Sequence, residues 1–166
     1  MKNLNKIIGY TSIPIGLFMI YHFSSILIDY IQHPNLLRCM IPYHNLIIRI
    51  IFGILITTGG LLLINKNRLF QYFYLSIGYF YFVLPFTELI DRIIRYDYGM
   101  DRINYFLIFF TFYFAISLPL LIYFNLKGLL KIYDIKPSYK KNLVLLIISI
   151  FVNSILNICY GGFSML

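Results

Sequence analysis

LIIRIIFGILITTGGLLLI, residues 46–64, carries a single charge, that of Arg49. A helix of this length rises about 28 Å, close to the thickness of a bilayer's hydrocarbon core. The polar stretch Asn65–Leu69 (NKNRL) follows, and a second apolar run extends from Phe70 to Ile90. Two spans joined by so short a connection must return antiparallel. Inside hydrocarbon the backbone has no water to bond, so a lone spanning segment must close its hydrogen bonds internally, as a helix. This hairpin decides the fold class: an all-α, polytopic transmembrane helix bundle.

The rest of the chain extends the pattern. Further apolar runs cover about Ile7–Ile31, Tyr105–Phe124 and Leu143–Tyr160, giving about five spanning helices in a single integral membrane domain over 1–166. Hydrophobic residues make up 60% of the chain and charged ones 12%, with a mean hydropathy of +0.80. Too few polar residues remain to solvate a water-soluble globule. The first apolar run is too long for a signal-peptide core and lacks a small-residue cleavage site, so it is expected to stay as a helix. Ala occurs only at Ala115, Val only at Val83, Val144 and Val152, and Trp is absent. Hydrophobicity does not exclude Ala or Val from membrane helices, so the skew toward Ile, Phe, Tyr, Asn and Lys points to an AT-rich genome, bacterial or organellar.

Charge sets an expected orientation. Lys2, Lys6, Lys66, Arg68, Lys127, Lys131, Lys136, Lys140 and Lys141 fall on one side of a five-span topology. Arg38, Arg49, Arg92, Arg95 and Arg102 fall on the other. Basic residues favour the inner side, which places the N-terminus in the cytoplasm or matrix and the C-terminus outside, in a bacterial or organellar inner membrane. A net charge of +8 would suggest nucleic acid in a soluble protein. Here the lysines flank apolar segments, so anionic lipid headgroups are the expected partner and nucleic acid is not. The stretch 125–142 interleaves Lys127, Lys131, Lys136, Lys140 and Lys141 with Leu129, Leu130, Ile132, Tyr133 and Ile135. It reads as an interfacial segment, lysines on phosphates and apolar side chains in the headgroup layer.

Two spans carry a distinctive stripe. Gly53, Thr57 and Gly60 recur at i, i+4 and i+7, a small-residue face that admits a neighbouring backbone. Ser149, Asn153 and Asn157 recur at i, i+4 and i+8, a polar face that must turn away from lipid. Both are read as packing faces. Pro85 and Pro119 each withhold an N–H within a span and are candidate kinks.

Residues able to do chemistry concentrate at the outer end. His22, Ser25, Asp29 and His33 line one helix face, where Asp29 is expected to pair with His33 and His22 to bond Ser25 and a carbonyl. Glu88 and Asp91 precede Arg92 and Arg95 by four residues each, an arrangement of self-satisfied ion pairs at a helix end. Glu88, the deeper acid, is the best candidate for a proton-handling carboxylate, with Asp91, His22 and Asp29 behind it. His33, His44, Asp97 and Asp101 are weak metal candidates, because their spacing matches no known site and the histidines adjoin Pro34 and Pro42. Haem is disfavoured, since His22 is the only histidine well inside a span. Cys39 and Cys159, the only cysteines, form no CxxC and leave a disulfide open. No cofactor is implied.

No catalytic set converges. The reading is a non-catalytic subunit or interaction component of a larger membrane assembly, with protein partners or self-association in the bilayer. The alternative is a small transporter, channel or membrane-embedded enzyme working through His22, Asp29, Glu88 and the Asn153/Asn157 face.

Overall fold

The structure, a computed structural model, describes the backbone of residues 2–33, 43–94 and 101–160 and the side chains of 3–33, 45–90, 107, 108 and 110–156. The described chain is all-helical: α1 Lys2–Gln32, α2 Tyr43–Ile64, α3 Phe70–Ile94, α4 Asp101–Asn125, α5 Lys127–Ile132 and α6 Tyr139–Tyr160. Among the described residues four segments are long and apolar enough to cross a membrane: Asn3–Gln32, Asn45–Ile64, Phe70–Ile90 and Tyr139–Leu156. The expected span at 105–124 lies within the 25-residue α4, whose described apolar part, Phe110–Asn125, is shorter. Helices α1, α3 and α4 continue through Pro14, Pro85 and Pro119.

The chain divides into two compact units. The first holds Met1–Tyr74 and Lys131–Ile135, the second Leu75–Leu130 and Lys136–Phe163.

In the first unit α1 and α2 run antiparallel, glycine against glycine. A Cβ added at Gly60 would lie 2.8 Å from the Gly9 carbonyl oxygen, and one at Gly53 would lie 2.9 Å from that of Gly16. Seven residues separate the glycines on each helix, two turns, so both pairs fall on one seam. Close approach of this kind is how helices associate where lipid gives no hydrophobic drive. Helix α2 then ends in a Schellman turn: Asn67 N–H donates to the Leu62 carbonyl at 2.8 Å, and Lys66 N–H to that of Leu63 at 3.3 Å. Lys66 takes the left-handed position, φ 54°, that glycine usually fills. Asn67 Oδ1 accepts from Leu69 N–H at 3.0 Å and opens α3. Nearby, Phe70 packs on the Tyr133 ring (centroids 4.7 Å apart), and Arg68 pairs with Asp134 across 2.6 Å.

The second unit is built on an aromatic contact between α3 and α4. Phe86 meets Phe110 edge-on at 5.5 Å, Phe82 meets Phe114 at 5.2 Å, and Tyr81 stacks on Tyr113 at 5.5 Å. Ascending numbers on α3 face descending ones on α4, so these helices are also antiparallel. Edge-on rings add about 0.5–1.5 kcal/mol per pair beyond the area they cover. Helix α6 starts at Ser138, whose Oγ accepts from Lys141 N–H at 3.3 Å. Its Asn142 donates to Asn125 Oδ1 of α4 at 3.0 Å.

Candidate functional site

The polar face of α1 has a different construction from the one its spacing suggests. His22, Ser25, Asp29 and His33 are all exposed. His22 is held by rings, stacked on Phe18 at 5.5 Å and edge-on to Phe23 at 5.1 Å, in place of the expected Ser25 and carbonyl bonds. Asp29 and His33 are linked through the backbone, His33 N–H donating to the Asp29 carbonyl at 2.8 Å. On a helix the i+4 backbone bond forms regardless of the side chains, and two exposed side chains gain little by ordering. The result is an outward-facing imidazole, hydroxyl and carboxylate within a span.

Glu88 is 5% exposed, on α3 beside the buried Leu84, Pro85 and Thr87, so it is an interior group, while the side chain of Arg92, its expected partner, lies outside the described residues. Sequence spacing cannot reveal this, because burial at 88 depends on which helices pack against α3. Among the described residues no group of three His, Cys, Asp or Glu side chains could hold a metal. The side chains of His44, Asp91, Asp101, Asn157 and Cys159, and the residues Cys39 and Asp97, lie outside the described set.

The small-residue stripe of α2 meets α1. Gly53 and Gly60 sit on the seam, and Thr57 folds its hydroxyl back to the Gly53 carbonyl at 2.8 Å, leaving a flat surface. The other half of this contact, Gly9, Ser12 and Gly16, was missed from sequence, although the i, i+3 and i+7 spacing in α1 would have shown it. Ser12 adds a polar tie, accepting from the Tyr74 hydroxyl at 2.6 Å in a buried setting.

On α6, Ser149 and Asn153 are both buried, Asn153 fully. Asn153 Nδ2 donates to the Ser149 carbonyl at 2.9 Å and reaches the Phe80 carbonyl of α3 at 3.4 Å. Interhelical bonds of this kind are worth about 0.6 kcal/mol on average, enough to fix a register and too little to hold a bundle.

The lysine-rich connection is partly folded. Leu129 and Leu130 of α5 are buried in the protein instead of resting in headgroups, while Lys127, Lys131, Lys136 and Lys140 are exposed and Lys141 is half-buried. Tyr133, in the turn after α5, has its hydroxyl pushed above the ordinary tyrosine pKa by burial, an effect offset in part by a hydrogen bond with Asn5.

At the opposite end of the α1–α2 seam, the Arg49 guanidinium lies over the Phe23 ring, 5.0 Å from its centroid. Such a contact gives about 0.5–2 kcal/mol. A charged residue at the centre of a span costs about 2.5–3.5 kcal/mol, falling toward the ends. The ring therefore relieves only part of the cost of placing Arg49 there. No family model, curated protein or solved structure matches this chain.

Proposed function

We propose that this chain is a multi-pass membrane component that works through association with other proteins in the bilayer and carries out no catalysis of its own. One observation carries the reading. The exposed face of α1 presents His22, Ser25 and Asp29 inside the apolar segment Asn3–Gln32, with no side-chain hydrogen bond among the described residues. Lipid tails offer no partner to a carboxylate or an imidazole, whereas a neighbouring helix does. Helix α1 has the surface to spare: 11% of its apolar window is buried inside the chain, against 56% for α3.

A photo-reactive amino acid at Ser25, activated in native membranes, tests this. The expected product is a discrete protein–protein adduct, absent when the same group is placed at Tyr10. Lipid adducts alone at both positions would remove the reading. The proposed orientation, N-terminus inside, is tested by thiol labelling of cysteines placed at Lys136 and Met165, which should react from opposite sides of the membrane.

The second reading, a small transporter or enzyme, is favoured by the burial of Glu88 within a span. Buried ionisable groups in membrane helices are functional candidates by default.

A further inference from the structure

We infer that Arg49 and Phe23 form a phospholipid-headgroup site at the end of the α1–α2 seam remote from the lysine-rich connections. Arg49 is the fifth residue of the apolar segment Asn45–Ile64, roughly 6 Å from its end. A side chain of this length reaches from there to headgroup depth. The Phe23 ring, 5.0 Å from the guanidinium carbon, holds the guanidinium plane at the groove between the two helices. Five N–H donors radiate from that plane, and no described residue accepts a hydrogen bond from them. Arg49 is half-buried, so the donors are neither sealed in nor fully hydrated. A group of opposite charge with paired oxygens, at headgroup depth, is what this fork is shaped to take, and a phosphodiester supplies it.

At 100° per residue, Ser25 and Asp29 project about 160° and about 120° around α1 from Phe23, while His22 meets the Phe23 ring edge-on at 5.1 Å, so the site adjoins the face proposed above for a protein partner at His22. The inference rests on α2 crossing a bilayer, and its antiparallel pairing with α1 sets His22, Ser25 and Asp29 toward the same membrane face as Arg49.

The full chain in neutral detergent, examined by native mass spectrometry with added phosphatidylglycerol, tests it. Wild type should retain one phosphatidylglycerol at low lipid concentration, with diacylglycerol of the same chain length failing to bind. Arg49→Gln should weaken that first binding event by roughly tenfold or more, the scale of a lost charge-assisted hydrogen bond. Arg49→Lys keeps the charge and loses the planar fork, so it should fall between the two. Phe23→Leu tests the platform without touching the charge and should weaken binding by a smaller factor. Lys66→Gln, just past the far end of α2 in the same unit, should leave this first event unchanged. Equal retention by wild type, Arg49→Lys and Phe23→Leu would overturn the site even if Arg49→Gln does not fold. Thermal stabilisation by inorganic phosphate equal to that by phosphatidylglycerol would assign the fork to a free anion and overturn the lipid.

Discussion

Replacing Gly16 with alanine tests the seam at its tightest point. The added methyl carbon would collide with Thr57 Oγ1 and lie 2.6 Å from the Gly53 carbonyl oxygen and 2.8 Å from the Thr57 nitrogen. An ordinary contact begins near 3.4 Å. Helices α1 and α2 must therefore part by roughly 0.8 Å at this level, and a gap of that size forfeits a quarter to a half of the attraction between facing atoms. Overpacked sites cost about 1–3 kcal/mol, and the obstruction here is backbone, so the upper part of that range applies. Alanine's better helix propensity returns about 1 kcal/mol, for a net loss of about 1–2 kcal/mol.

The glycine series sharpens the test. Gly60 and Gly53 would also meet backbone oxygens, at 2.8 and 2.9 Å, and should follow Gly16 closely. Gly78 would meet the Leu121 side chain, Cδ2 at 2.9 Å and Cγ at 3.1 Å, which can rotate away. Gly78→Ala should then be neutral or slightly stabilising. Reversible unfolding in bicelles under denaturing-detergent titration, followed by near-UV circular dichroism, gives the ranking. A Gly16→Ala variant within about 0.5 kcal/mol of wild type, or a Gly78→Ala variant less stable than Gly16→Ala, would refute the close-contact argument.

Four further outcomes are expected. Tyr74→Phe strands a buried Ser12 hydroxyl by removing the 2.6 Å hydrogen bond, and should lower stability by about 1–2 kcal/mol in the same titration. Arg68→Ala breaks an exposed ion pair, with side chains 64% and 87% accessible, and should change stability by less than about 0.5 kcal/mol. The raised Tyr133 pKa means that the folded state holds the phenolic proton more tightly than the unfolded one, whose ordinary value is 10.0; stability is unaffected by this group below that pH and falls above it, so wild type should lose stability relative to Tyr133→Phe only in alkaline solution. Glu88→Gln keeps the shape of a buried side chain and removes its ionisation, so on the association reading it should leave abundance and assembly in native membranes unchanged, while lost function at normal abundance would favour the transporter or enzyme reading.

What the sequence made legible, and what it hid, follows from the solvent. Helix existence and approximate length were readable because hydrocarbon forces every backbone group into an internal bond, and the Asn65–Leu69 turn was readable because its polar residues interrupt the run. Helix facing was not, since Ile, Leu and Phe suit lipid and a protein neighbour equally and leave no amphipathic stripe to follow. The interface could be sensed only through residues that gain nothing from lipid. Gly53 and Gly60 stood out, yet Gly9 and Gly16 were hidden by Tyr10, Thr11 and Pro14 between them, none of which lies on the seam. The same logic separates the polar residues. Asn153 and Ser12 are buried and bonded to a neighbouring helix, so they have a structural reason to be where they are. Asp29 is exposed, and Arg49 rests on a ring that only partly relieves its charge. A chain alone in the bilayer would carry both at a cost, which is why α1 is proposed to meet a partner helix and Arg49 a phospholipid.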